Sequence, residues 1–90
     1  MDGLSGVDFS ELTNLHLFSK SISNIEAFKT ITFKQISKLL LYSNKIENIE
    51  PLAECNLSSL KMLNMYENKL TNIELLTKCN FKEIKVLILN

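Results

Sequence analysis

Apolar residues recur along this chain with a period of 24 residues, and one short phrase returns four times. Each copy starts with an apolar residue, has a leucine three positions later, and has a second leucine or a methionine two positions after that. The copies begin at Leu12, Ile36, Leu60 and Ile84. A fixed period of this length predicts one supersecondary unit stacked on copies of itself, because a single unit cannot bury its apolar face alone.

Within the phrase, the apolar positions alternate along the chain. In the second copy, Leu39 and Leu41 are separated from each other by Leu40 and flanked by Lys38 and Tyr42. Since alternate residues of a β-strand point to opposite faces, this pattern predicts a short strand with Leu39 and Leu41 facing inward.

An asparagine follows the strand at the same position in the second and third units. Asn44 and Asn68 come three residues after the last inward position, and we expect their side chains to bond backbone groups at a turn. The sequence Asn-Ile-Glu then opens a return segment in three units, and Pro51 suits the first turn of a short helix in the second. The repeated glutamates either form an acidic stripe for a partner or stabilise helix starts, and we favour helix stabilisation.

The phrase Leu-x-x-Leu-x-Leu-x-x-Asn-x-Leu resembles the leucine-rich repeat. The stretch Leu39-Leu-Leu41-Tyr-Ser-Asn44-Lys-Ile46-Glu-Asn-Ile49-Glu-Pro-Leu52 is similar to the subclass that contains the protein phosphatase 1 regulatory repeat subunit and an axonemal dynein light chain. The resemblance implies an α/β fold: a right-handed leucine-rich-repeat solenoid with a short-stranded parallel concave sheet and short helical or looped convex segments. It covers repeats 12–35, 36–59 and 60–83 and a partial repeat, 84–90.

The two ends of the repeat array depart from the pattern. The first repeat has Lys20 where the asparagine is expected, and we interpret residues 1–11 as an N-terminal cap in which Val7 and Phe9 cover the first coil. The sequence stops within the fourth strand, so we expect further chain or another molecule to continue the stack. For the ninety-residue chain alone, we expect self-association through an edge that is formed by Ile84, Val86 and Ile88.

Charge and composition exclude several classes of function. All ten basic residues are lysines, they are scattered, and the net charge is zero, so we expect no binding to nucleic acid. The first residues do not resemble a signal peptide, and no apolar run approaches the roughly 20 residues of a membrane span. We therefore expect no membrane association and an intracellular location, with the cytoplasm preferred and the nucleus or a cilium as alternatives.

The chain has few residues that could carry out chemistry. His16 is the only histidine, and no catalytic constellation or set of metal ligands follows from the spacing, so we expect no enzyme activity, no metal and no cofactor. Cys55 and Cys79 lie one period apart, which leaves a disulfide open. Because Ile31 takes the equivalent place in the first unit, we favour two reduced cysteines packed in the core.

The outward positions of the strands form three columns in a stack of this kind. The most informative column contains Phe18, Tyr42 and Tyr66, followed by Asn90. These rings either shield the strands by packing on one another or anchor a partner, and we favour the anchor role. Around them, the predicted partner-binding surface contains His16, Lys38, Leu40, Met62, Asn64 and Glu67.

The sequence therefore predicts a scaffold for protein–protein interaction. A shallow sheet face rich in apolar side chains suits a helix or an extended peptide from a protein partner. The resemblance implies two alternatives: a regulatory or targeting subunit of an enzyme such as a phosphatase, and a structural component of an axoneme or the cytoskeleton.

Overall fold

The computed structural model of this chain describes residues 6–89. The fold consists of short parallel strands, each offset from its neighbour by one 24-residue period. One sheet contains β2 (Asn14–His16), β4 (Lys38–Leu40), β5 (Met62–Asn64) and β6 (Val86–Ile88), in that order. Every Cα partner in this sheet lies 24 residues away, as in the row Leu15, Leu39, Leu63, Leu87. The prediction of an α/β fold with short parallel strands is confirmed.

A second parallel sheet, which the sequence did not predict, joins β1 (Asp8–Phe9) to β3 (Thr32–Phe33). The N–H of Thr32 also donates to the Val7 carbonyl oxygen at 3.1 Å. The Phe9 ring stacks on Phe33 with 6.0 Å between the ring centroids, and Phe9 packs against the core. The described part of the predicted cap, residues 6–11, therefore includes a strand, β1, which pairs with residues 24 positions later in the sequence. Residues 1–5 of the predicted cap lie outside the described residues.

Short helical segments connect the strands, as the return segments predicted. A 3₁₀ helix spans Glu26–Thr30, α1 spans Glu50–Ala53, and a second 3₁₀ helix spans Ile73–Lys78. Pro51 lies in the first turn of α1, where the missing N–H of proline breaks no helical hydrogen bond. Glu26 and Glu50 open the first two helices, and Glu74 lies in the first turn of the third.

The core lies between the strands and these helical segments. Leu39 and Leu63 are completely buried at the inward strand positions, and Leu15 is nearly so. The side chains that fill the space between the units are aliphatic or aromatic and include Ile25, Phe28, Ile36, Ile49, Leu52, Leu57 and Leu60. Each unit thus supplies one layer, and the layer is buried because the next unit covers it.

Asn44 joins the first and second units through its side chain, as its position predicted. Its Oδ1 accepts hydrogen bonds from the N–H groups of Lys20 and Ile22, at 3.0 and 2.9 Å. Its Nδ2 donates to the backbone carbonyl oxygens of Leu17, Leu41 and Tyr42. Asn68 repeats this arrangement one unit later, and its Oδ1 accepts from Ile46 N–H.

The direction of these bonds explains the lysine in the first unit. Each asparagine bonds the backbone of its own unit and also that of the unit before it. Lys20 occupies the asparagine position of the first unit, and its own N–H is bound by Asn44. The N–H groups of Lys20 and Ile22 and the carbonyl oxygen of Leu17 therefore keep hydrogen-bond partners although the first unit has no asparagine of its own.

From the second 3₁₀ helix onwards, the chain is much less covered than the residues before it. Leu87 exposes 43% of its surface at a position where Leu39 and Leu63 expose none. The second 3₁₀ helix contains no buried residue, whereas the first contains Ala27 and Phe28. Over residues 6–89, no helix is long and apolar enough to span a membrane.

Candidate protein-binding surface

The strands of the four-stranded sheet turn one set of side chains away from the core, and we call this set the outer face. Two rows of Cα partners form it. One row contains Asn14, Lys38, Met62 and Val86, and the other contains His16, Leu40, Asn64 and Ile88. The 24-residue register brings the members of each row next to one another, as expected for two of the three outward columns.

The outer face is unusually apolar on the side of the later units. Leu40, Met62 and Ile88 are half-buried, and Val86 exposes 38% of its surface. His16 and Lys38 are exposed beside them, and Asn64 is half-buried. Because these side chains point away from the core, their burial comes from neighbouring side chains on the same face.

Phe18 and Tyr42 extend this surface beyond the ends of β2 and β4. Their backbones run side by side, because Leu17 N–H donates to the Leu40 carbonyl oxygen at 2.9 Å and Ser19 N–H donates to the Tyr42 carbonyl oxygen at 3.1 Å. The two rings stack almost in parallel, with 4.7 Å between their centroids and 2° between their planes. The His16 ring lies 6.0 Å from the Phe18 ring.

Tyr66 lies in register with Tyr42, but its ring does not stack on the Tyr42 ring. Ser43 N–H donates to the Tyr66 carbonyl oxygen at 2.7 Å, which holds the two backbones together as predicted. However, the Tyr66 side chain is 49% exposed and makes no ring contact within the described part of the chain. Tyr66 N–H donates to Asn64 Oδ1 at 3.0 Å in a local turn. In the preceding unit, Leu40 takes the place of Asn64 and has no side-chain acceptor for Tyr42 N–H.

Glu67 lies at the edge of this surface in a strained backbone conformation. Its φ is 56°, and the equivalent residues Ser19 and Ser43 have φ values of 55° and 57°. The Ser43 hydroxyl donates to Glu67 Oε1 at 2.8 Å, so the carboxylate is tied to the neighbouring unit. Asn90, which was predicted next to Tyr66, lies outside the described residues.

The predicted self-association edge is only partly exposed. Ile84 is half-buried and packs against the core. Its place in the phrase matches Ile36 and Leu60, which are both inward positions. Val86 is exposed and Ile88 is half-buried. Leu87 was not among the predicted edge residues because the alternation assigns it to the core, and it is exposed because β6 has a neighbour on one side alone among the described strands.

The opposite side of the molecule carries a compact charged cluster. Lys29 Nζ lies 3.1 Å from Glu26, 3.3 Å from Glu50 and 3.3 Å from Glu54. Hydrogen bonding to Glu26, and then to the other two carboxylates, raises the pKa of Lys29 above its usual value. The glutamates that open the first two helices thus also link those helices through one lysine.

Both cysteines are free, and Cys55 belongs to the core while Cys79 packs against it. Cys55 is buried, and its Sγ lies 2.9 Å from the Phe28 carbonyl oxygen. Burial raises the pKa of the Cys55 thiol to about 12, and it also raises the pKa of Cys79. Ile31, at the equivalent place in the first unit, is buried to the same degree as Cys55, which agrees with the predicted packing role.

A small depression lies beside the helix starts of the first two units. It has a volume of about 210 Å³ and is lined by residues that include Asn24, Glu26, Lys45 and Asn48. This volume is below the roughly 300 to 1,000 Å³ of typical small-molecule pockets. The outer face is therefore the more promising candidate for function.

Comparison of the chain with protein-family models, with curated proteins and with solved structures finds no match.

Proposed function

We propose that this chain is a leucine-rich-repeat protein whose outer face is the concave surface of a right-handed solenoid and binds a segment of a protein partner. Two observations support the repeat assignment. Strand partners are offset by 24 residues throughout the sheet, and Asn44 and Asn68 each bond the backbone of the preceding unit. A stack of this kind presents an extended surface that suits a helix or an extended peptide.

The observation that carries the binding proposal is the apolar and aromatic content of the outer face. The stacked rings of Phe18 and Tyr42 adjoin the row of Leu40 and Ile88, and Met62 and Val86 lie in the next row. A large apolar area on the surface is typical of an interaction site. Tyrosine side chains are also enriched among the residues that dominate binding energy.

Tyr66 has a separate role in this proposal. Its ring has no stacking partner among the described residues and is half exposed, so it is free to pack against a bound segment. Tyr42, in contrast, is already ordered by Phe18. We therefore expect Tyr42 to act as a rigid anchor, and Tyr66 to become ordered when the partner binds.

The proposed setting is a reducing, intracellular compartment. Both cysteines are free, and the Cys55 thiol is buried against a backbone carbonyl oxygen instead of being bridged. Structural disulfides are typical of oxidising compartments, whereas buried reduced cysteines are typical of the cell interior.

The binding proposal is tested by affinity capture with the ninety-residue chain and with the double variant Tyr42→Ala/Tyr66→Ala. We expect specific proteins to be captured by the wild type and lost, by roughly tenfold or more, with the variant. Thr32→Ala is the matched control, because Thr32 is exposed on β3 in the other sheet. Equal capture by all three chains, each folded by circular dichroism, would show that the outer face is not the binding surface.

A second proposal concerns the exposed edge of the sheet. Leu87 and Val86 are exposed on β6, and an apolar strand edge favours pairing with another chain. We expect the ninety-residue chain to associate with itself as its concentration rises. Leu87→Lys should keep it monomeric in sedimentation velocity, and Ile73→Lys, at an exposed site on the second 3₁₀ helix, is the comparison variant. A wild type that stays monomeric at every concentration contradicts this proposal.

A further inference from the structure

Three exposed lysines lie together where the strands of the outer face begin. Lys38 is the first residue of β4, and Lys61 and Lys85 directly precede β5 and β6. Lys85 N–H donates to the Lys61 carbonyl oxygen at 2.9 Å, and Lys61 N–H donates to the Ser37 carbonyl oxygen at 2.8 Å. The backbones of Lys61 and Lys85 are therefore direct neighbours, on strands about 4.8 Å apart, and Lys38 follows Ser37, the residue that Lys61 bonds.

These lysines are not neutralised within the described part of the molecule. The ion pairs found there all involve Lys29, on the side of the helical segments. Lys38, Lys61 and Lys85 form none, although Glu83 lies two residues before Lys85. Positive charge thus lies where these strands start, with Lys38 in a row of the outer face and Lys61 and Lys85 one residue before Met62 and Val86, even though the chain has no net charge.

The lysines border the most apolar part of the outer face. Met62 follows Lys61, Val86 follows Lys85, and Lys38 is the Cα partner of Met62. A bound segment whose apolar side chain contacts Met62 and Val86 would bring its neighbouring residues within reach of the lysine ammonium groups. Charge complementarity would then fix the position and direction of that segment.

We infer that the segment bound on the outer face is an acidic peptide, with an apolar side chain on Met62 and Val86 and carboxylates beside Lys38, Lys61 and Lys85. This inference rests on the proposed function and adds the chemistry of the partner. A peptide fits these observations better than a nucleic acid does. The charges are few and adjoin aliphatic side chains, and Phe18 and Tyr42 already use one ring face each to stack on one another.

The first step of the test is a selection from a phage-displayed library of random 16-residue peptides on the full ninety-residue chain. We expect the enriched peptides to contain aspartate or glutamate within a few residues of a large apolar side chain. The most enriched peptide is then synthesised with its carboxylates intact and with all of them changed to amides. Fluorescence anisotropy should show at least about tenfold weaker binding for the amide form.

Variants of the chain locate the effect. Lys61→Glu/Lys85→Glu should weaken binding of the acidic peptide at least about tenfold. The control Lys45→Glu/Lys69→Glu makes the same change in charge at two exposed lysines that follow Asn44 and Asn68, past the other end of the strands, and should change binding less than about twofold. Raising the salt concentration from about 0.05 to 0.5 M should narrow the difference, because salt screens exposed charges.

The outcomes separate this inference from the proposed function. If binding depends on Tyr42 and not on Lys61 and Lys85, or if the enriched peptides lack acidic residues, the acidic-peptide inference is overturned and the outer face remains a binding surface. If no enriched peptide depends on Tyr42 or on the lysines, both proposals are wrong. The acidic-peptide inference is also overturned if another ligand takes the peptide's place with the same dependence on Lys61 and Lys85. The two ligands to test are a single-stranded DNA 20-mer and a second copy of the chain.

Discussion

Leu63 and Leu87 occupy the same place in consecutive copies of one phrase, but they lie in very different surroundings. Leu63 is completely buried on β5, which has β4 on one side and β6 on the other. Leu87 exposes 43% of its surface on β6, which pairs with β5 alone among the described strands. The strand alternation sets the direction of both side chains, and the number of neighbouring units sets how well each is covered.

The same difference in burial is found at two other pairs of equivalent positions. Cys55 is buried while Cys79 is half-buried, and Asn44 is buried while Asn68 is half-buried. Equivalent sequence positions therefore give equivalent geometry without equivalent burial. The predictions below use matched pairs of positions to measure that difference.

The largest difference is expected for the inward leucines. Leu63→Ala removes a completely buried side chain and should lower the free energy of unfolding by about 2 to 5 kcal/mol. Leu87→Ala removes a half-exposed side chain and should cost about 1 kcal/mol. Urea unfolding at low protein concentration measures both. Equal losses would show that Leu87 is covered in solution as well as Leu63 is.

The asparagine pair comes next. Asn44→Ala leaves the N–H groups of Lys20 and Ile22 without their acceptor and should cost about 2 to 3 kcal/mol, whereas Asn68→Ala should cost about 1 kcal/mol because water reaches that site more easily. Amide hydrogen exchange gives a local readout. Exchange should accelerate most at Ile22 in the first variant and at Ile46 in the second, and acceleration that is uniform along the chain would contradict the assigned bonds.

The two thiols should differ at least about tenfold in their rate of reaction with a maleimide near neutral pH, with Cys79 reacting first. Cys55 is more deeply buried, and burial raises the pKa of its thiol to about 12, so less of the reactive thiolate is present. Peptide mass spectrometry identifies the labelled residue. Because the pKa in the folded state is above the unfolded value of about 9.0, this group also lowers stability as the pH rises from about 9 towards 12. Cys55→Ala should remove part of that loss.

The smallest change in stability is expected at Ser43 and Glu67, which have a positive φ in successive units. These two positions should behave alike. Ser43→Gly and Glu67→Gly each place glycine at a φ near 56° and should stabilise the chain by up to about 1 kcal/mol. Each also removes the same hydrogen bond, which joins Ser43 to Glu67. Thr71→Gly, at an exposed position without a positive φ, should instead destabilise by about 0.5 to 1 kcal/mol. Thermal unfolding distinguishes the signs.

Much of the fold was predictable because its repeated features are local. The alternation around Leu39 indicated the strand and its inward face, and the spacing of Asn44 indicated a side chain that bonds a turn. The pairing of β1 with β3 was not predicted, because two-residue strands leave too little alternation to read. The positions of the candidate surface were predicted from the register, whereas the stacking of Phe18 on Tyr42 without Tyr66 was not, because a ring's orientation depends on side chains from several units.

By itself, the sequence determined the 24-residue offset between strand partners and the direction in which each strand side chain points. Both follow from the geometry of the strand and from the spacing of apolar residues along one chain. The tertiary structure alone decided how far Leu87 is exposed and that Phe18 and Tyr42 stack. It also decided that Lys61 and Lys85 lie side by side and form no ion pair with a carboxylate among the described residues. Burial, stacking and charge pairing depend on residues brought together across units, and no local pattern contains that information.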